Sequence, residues 1–326
     1  GIGFLSYFFG SWAANLITFV FHLVGLVLIY LSFENKFEIQ KISLYLILAL
    51  SSPVLYFDNL EPMDYSWAFL FLSLGIFFYS KKLFEIAILA FAFSVGCRLN
   101  FIIFAFVIIF FFNHNFFLKF NKKLIHALCI FIISGLFYLP VWFDNSFDFS
   151  WITSARPIEQ GFFGLFARFS YKTWLAFGFF QTIFLILYFF RVFKVKKNRK
   201  ENNLLLILIV SNLILFLYIP AELSYLQPAI IFAYLILMRF YNQRIITIII
   251  LLNFLNWGVN FQILKIDYKD NSVCAPKHAI SANIEFSLTK GALQNFVETR
   301  KLIGCWVNAS SERGARILEG KSTRIP

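Results

Sequence analysis

Long apolar runs separated by short polar breaks recur along residues 1–263, and the composition turns polar from Lys265 onward. An α-helix needs about 20 apolar residues to cross about 30 Å of hydrocarbon. On that measure the runs fall near 11–33, 42–57, 64–80, 83–97, 100–118, 125–143, 172–193, 204–220, 224–240 and 244–263, several of them short. The pattern predicts an all-α polytopic membrane protein: a bundle of about ten transmembrane helices over 1–263, then a small polar tail over 264–326. Within the tail, apolar alternation predicts a strand near Ala279–Phe286 and a helix near Lys290–Ile303. The fourth and fifth runs meet at Gly96-Cys97-Arg98-Leu99-Asn100, which reads as a tight hairpin with one cation at its tip, a single bent span being the alternative.

Charge orients the bundle. Lys and Arg gather in cytoplasmic loops. If residue 11 starts outside, those loops collect Lys36, Lys41, Lys81, Lys82, Lys119, Lys122, Lys123, the run Arg191–Lys200, Arg239 and Arg244. The opposite loops hold Arg98, Arg156, Arg168 and Lys172. Merging the fourth and fifth runs would put Arg191–Lys200 outside, which favours the hairpin. The long connection 144–171, rich in Phe, Trp, Asp and Arg, reads as an interfacial segment with an amphipathic helix within Gly161–Tyr171.

Composition narrows the class. The chain is 60% hydrophobic and only 14% charged, with 47 Phe, far from the balance of a water-soluble domain. Its net charge of +12 lies in short loops between apolar runs, where topology and anionic lipid account for it, so nucleic acid is not expected as a partner. Cys97 and Cys129 lie inside apolar runs and act as small hydrophobes, whereas Cys274 and Cys305 could pair only if the tail is outside the cytoplasm. The bias to Phe, Lys, Ile and Asn reads as AT-rich bacterial coding sequence and hence a bacterial inner membrane, and the loop charges place the face that bears Arg98 and the tail on the non-cytoplasmic side.

Three carboxylates, Asp58, Glu61 and Asp64, stand at the outer mouth between the second and third runs. Such a cluster is tolerated when a divalent cation, substrate hydroxyls or bulk water neutralises it. The plainer reading makes Asp64 an N-terminal helix residue, favoured by the helix dipole, and the other two solvated loop charges. Arg98 either snorkels to the headgroups or meets a phosphate or carboxylate. Between the eighth and ninth runs, Tyr218-Ile-Pro220-Ala-Glu222-Leu-Ser-Tyr225-Leu-Gln-Pro228 breaks a helix, and Glu222 and Tyr225 either line a cavity there or merely belong to the break. Arg156 and Arg168 grip either phosphates or anionic lipid.

The order of these features resembles the polytopic GT-C glycosyltransferases, the class that includes protein O-mannosyltransferases and aminoarabinose transferases. Glu61-Pro-Met-Asp64-Tyr-Ser-Trp looks like the family's second outer acidic loop. Ala87–Asn100, ending Gly-Cys-Arg-Leu-Asn, is similar to its small-residue helix, and Pro220–Pro228 resembles the tyrosine-leucine-x-proline element of a late helix. The resemblance implies a polyprenyl-phosphate-sugar donor, an acceptor glycan, lipid or protein, and a divalent cation as a possible cofactor. It assigns Asp64 and Glu61 to the catalytic acids, and Arg98, Arg156, Arg168, Glu222 and Tyr225 to substrate binding. The family's first helix and first outer loop, which carries its catalytic base, have no counterpart here, so the chain is expected to lack its N-terminal part and Asp64 to assist rather than act as base. A transporter or a lipid-linked glycan flippase or polymerase is the rival reading.

Overall fold

A computed structural model describes residues 11–34, 38–52, 55, 64–112, 120–144, 166, 169–170, 172–173, 176–177, 179–192, 199–218, 223–262, 265–268, 278–281 and 285–288. Two compact units emerge, Gly1–Ile250 and Leu251–Pro326. Among the described residues the first unit is helical: α1 (Ser11–Phe33), α2 (Ile39–Leu50), α3 (Asp64–Ser80), α4 (Phe84–Cys97), α5 (Ile102–Phe111), α6 (Phe120–Asp144), α7 (Phe179–Val192), α8 (Arg199–Tyr218), α9 (Gln227–Phe240) and α10 (Gln243–Gly258), which runs on into the second unit. Short 3-10 turns at Leu99–Phe101 and Leu223–Leu226 precede α5 and α9.

Each apolar run expected from the sequence therefore carries a helix, but length separates them. Among the described residues three helices are long and apolar enough to cross a membrane, over Leu16–Phe33, Phe120–Pro140 and Glu201–Tyr218. Others are shorter: α2 has 12 residues, α4 has 14 and α5 has 10. At 1.5 Å per residue α5 rises only about 15 Å, half the hydrocarbon thickness. Burial agrees with a lipid solvent. Leu124, Leu128, Phe131, Ile132 and Leu136 of α6 are all exposed, an apolar face that water would not tolerate. These features mark the chain as an integral membrane protein.

The opposite extreme is α9. Every residue from Gln227 to Leu237 is buried, so this helix, apolar on all sides, forms the axis of the unit. Around it, helices approach closely where a glycine of one receives a phenylalanine ring of the next. A Cβ on Gly25 of α1 would lie 2.6 Å from Cε1 of Phe69 on α3; on Gly75 of α3, 2.5 Å from Cδ1 of Phe91 on α4; on Gly96 of α4, 2.7 Å from Cδ2 of Phe137 on α6. Close approach at small residues is how apolar helices gain dispersion contacts without a hydrophobic force between them.

Two reversals join α3, α4 and α5. After α3, Leu83 N donates to Phe78 O (2.9 Å) and Lys82 N to Tyr79 O (3.1 Å), the pairing of a Schellman motif. Lys82 takes the left-handed position, at φ 64°, where glycine is usual. The strain is roughly 1 kcal/mol, and the cation gains in return from the helix C-terminus. After α4 the backbone extends at Arg98, φ −147° and ψ 113°, before the 3-10 turn. Tyr79 reports the direction taken: its ring meets Phe84, at the start of α4 (5.2 Å), and Phe112, just past the end of α5 (6.3 Å). The chain thus folds back at Arg98 as a hairpin, not as one bent span.

In the second unit, β1 (Val259–Gln262) pairs antiparallel with β4 (Glu285–Leu288), and β2 (Lys265–Tyr268) pairs antiparallel with β3 (His278–Ser281), nested inside the first pair. The strand expected near Ala279–Phe286 is two short strands. The helix expected over Lys290–Ile303, the pair Cys274 and Cys305, and nearly all of the 144–171 connection lie outside the described residues.

Gly75→Ala should lower stability by about 1–3 kcal/mol, the usual cost of overpacking. Melting in detergent should show that loss, with Gly75→Ala/Phe91→Leu recovering much of it.

Candidate functional site

The α3–α4 pair is held in register by hydrogen bonds as well as packing. Ser94 Oγ donates to Ala68 O of α3 at 2.7 Å, and Tyr138 OH of α6 donates to Val95 O at 2.8 Å. The last turn of α4 is therefore pinned on two sides, and Arg98 leaves it at a defined place. Its guanidinium carbon stands 3.9 Å from the centroid of the Tyr65 ring. Tyr65 is buried and follows Asp64, the first residue of α3. Against Tyr65 lies the ring of Tyr225, in the 3-10 turn before α9, with centroids 5.7 Å apart and planes at 79°. Asn212 of α8 donates from Nδ2 to Tyr225 O at 3.0 Å and fixes that turn.

Three segments far apart in sequence thus meet at one end of the unit, with Tyr65 between them. Stacking on a ring is worth about 0.5–2 kcal/mol to a cation in such a setting. It also orients the guanidinium: the face is covered by the ring, while the N–H groups radiate in plane, the geometry suited to a phosphate or carboxylate. Of the residues singled out from the sequence, the structure brings together Arg98, Tyr225 and the helix start at Asp64. Glu61, Arg156, Arg168 and Glu222 lie outside the described residues. Among the described residues no group of three or more His, Cys, Asp or Glu is placed to hold a metal ion, and Asp58 and Glu61 are not among them.

Two polar groupings escaped the sequence reading. His22, fully buried in the middle of α1, has Nδ1 3.3 Å from Nε2 of Gln227, at the first turn of α9. A lone histidine in a 23-residue apolar helix was the signal. The second grouping lies at the other end of α9. Arg239 donates from Nε to Glu34 Oε1 (2.6 Å), from Nη1 to Asn202 Oδ1 (3.2 Å), and from Nη2 to Phe33 O (2.6 Å) and Glu201 Oε2 (2.9 Å). Its side chain is only 9% exposed. The end of α1, the start of α8 and the end of α9 are tied through this one guanidinium. By sequence Arg239 was one loop cation among many, because its two carboxylate partners are 205 and 38 residues away.

No family model matches the chain, and neither any curated protein nor any solved structure matches it. The likeness to GT-C enzymes therefore rests on the quoted residues alone.

Arg239→Met should lower stability by about 1–3 kcal/mol, since two carboxylates lose their partner at a half-buried site. In a double-mutant cycle with Glu34→Gln, chemical denaturation should return a coupling energy above about 0.5 kcal/mol.

Proposed function

We propose that this protein is a membrane glycosyltransferase that moves a sugar from a polyprenyl-phosphate donor to an acceptor on the non-cytoplasmic face. The observation that carries this reading is the meeting of Arg98, Tyr65 and Tyr225 beside the helix start at Asp64. Those are the three segments whose residues resemble the GT-C motifs, and a bundle in which they lay apart would have no use for the resemblance.

In this reading the ten helices cross the membrane or enter it, and the excess of cations in the opposite loops assigns the Arg98 end to the outside. Arg98, stacked on Tyr65, binds the donor phosphate, with Arg156 and Arg168 of the long outer connection completing its charge. As the glycosidic bond breaks, the phosphate gains negative charge, and a fixed guanidinium stabilises that charge more in the transition state than before it. Asp64 and Glu61 orient the acceptor or a divalent cation, while Glu222 and Tyr225 take part in substrate binding.

A carrier of the lipid-linked glycan is the second reading. The buried His22–Gln227 pair favours it, because polar groups deep between helices and a helix opened by a 3-10 turn also suit a translocation path.

Asp64→Ala should abolish or strongly lower sugar transfer, and Arg98→Ala should lower it by about 100-fold or more, with membrane insertion intact in both. Release of polyprenyl phosphate from a radiolabelled donor provides the measurement. Wild-type turnover in Asp64→Ala removes that residue from the site. A donor that crosses proteoliposomes with its glycosidic bond whole establishes the carrier instead.

A further inference from the structure

The two ends of α9 hold α1 with unequal strength. At the Arg239 end, the guanidinium bonds both Phe33 O and Glu34, and the Phe33 ring stands edge-on to Phe232 (6.4 Å) and Phe112 (5.9 Å). At the other end the joining contacts are thinner. His22 of α1 meets Gln227 through one long hydrogen bond of 3.3 Å, and Tyr65 of α3 meets Tyr225 through a ring edge. These two contacts lie one above the other. Tyr65 and Phe69 are four residues apart and share a face of α3, with Phe69 about 6 Å further into the bundle. The His22 ring is 4.9 Å from that of Phe69, so His22 lies one helical turn beneath the meeting of Arg98, Tyr65 and Tyr225.

Polar atoms at this end are left unserved. Gln227 Nε2 can only donate, so His22 Nδ1 accepts and the ring proton sits on Nε2. That Nε2 is fully buried and has no hydrogen-bond partner among the described residues. Asn212 of α8 repeats the pattern: it is buried, its Nδ2 donates to Tyr225 O, and its Oδ1 has no partner among the described residues. A buried donor without an acceptor and a buried acceptor without a donor both raise the free energy of the closed arrangement, and water would satisfy each. The reverse holds at Arg239, where separation would break the bonds already made. Separation is therefore favoured at one end of α9 and closure at the other. Nor would α1 leave α9 by itself. Its Gly25 receives the Phe69 ring of α3 too closely for the two helices to slide apart, and α8 packs along α9 on the opposite side.

We propose that the seam between the α1–α3 pair and the α8–α9 pair is a gate: α1 and α3 turn together about the Arg239 cluster, the seam parts at the Arg98 end, and water reaches His22 and Asn212. The open form adds to the Arg98 site an uncharged polar floor that the closed form hides. This inference does not rest on sugar transfer and holds for an enzyme or a carrier alike.

The test uses the whole chain in lipid nanodiscs, treated with diethyl pyrocarbonate, which acylates a histidine ring nitrogen only where it is accessible. Peptide mass spectrometry follows His22 apart from His114, His126 and His278. A gate open for about 0.1–10% of the time makes His22 react about 10- to 1,000-fold more slowly than free N-acetylhistidine. Low denaturant should leave that rate unchanged, the mark of a local opening. Tyr225→Ala, which removes the ring contact across the seam, should raise it by about fivefold. Glu34→Gln, at the pivot, should leave it within about twofold. The variants are compared at wild-type helix content by circular dichroism, and the wild-type rate decides alone if one fails to fold. An inert His22, a rate that climbs with denaturant as global unfolding does, no rise in Tyr225→Ala, or an equal rise in Glu34→Gln overturns the proposal.

Discussion

Each α-helix leaves its last four carbonyls without an intrahelical donor, and hydrocarbon offers no water to supply one. Helices of only 10 to 14 residues, as α2, α4 and α5 are, place such ends inside the apolar unit. Here side chains of neighbouring helices cap them. Tyr138 OH donates to Val95 O, in the last turn of α4. Tyr79 OH reaches Ile109 O (3.4 Å) and Lys123 Nζ reaches Phe110 O (3.0 Å), both in the last turn of α5. Away from the helix ends, Tyr241 OH donates to Phe184 O within α7 at 3.0 Å and ties the end of α9 to its neighbour. The break at Arg98 is therefore possible only inside a bundle that brings donors to it, and the geometry at Tyr65 depends on that break.

Helix α9 connects the two polar ends. Gln227 and Arg239 are about 18 Å apart along it, with buried apolar residues between. One end carries rings and a stacked guanidinium whose face is covered. The other carries a guanidinium nearly saturated by carboxylates and carbonyls. Arginine is used in two ways: at Arg98 the face of the guanidinium lies over the Tyr65 ring, and at Arg239 the N–H rim joins three helices. Substituting either by lysine would not be conservative, for different reasons.

The helical runs were legible because apolar character in lipid must persist for the length of a helix, so α1 and α3 begin and end where the apolar pattern does. The hairpin at Arg98 was legible from charge bias, and Tyr79 supplies its geometric counterpart. Crossing number was less legible: the apolar run 100–118 contains a described helix of only 10 residues, because apolar composition does not say where the backbone turns. At the candidate site, Asp64, Arg98 and Tyr225 stood out as polar residues at breaks. Tyr65, the residue that joins them, did not, since a tyrosine at a membrane helix end is ordinarily an interface anchor. The partners of Arg239 and of His22 were invisible for a plainer reason. Pairing across 205 residues leaves no periodic trace in a single sequence.

The carbonyl caps have a consequence for biogenesis. Tyr79 precedes α5 in the chain, but Lys123 and Tyr138, which complete the ends of α5 and α4, are on α6 and are synthesised later. Until α6 is made, the carbonyls of Val95 and Phe110 lack these two donors, and leaving such groups unserved in an apolar surrounding is costly. They gain their partners only once α6 has packed against the α4–α5 pair.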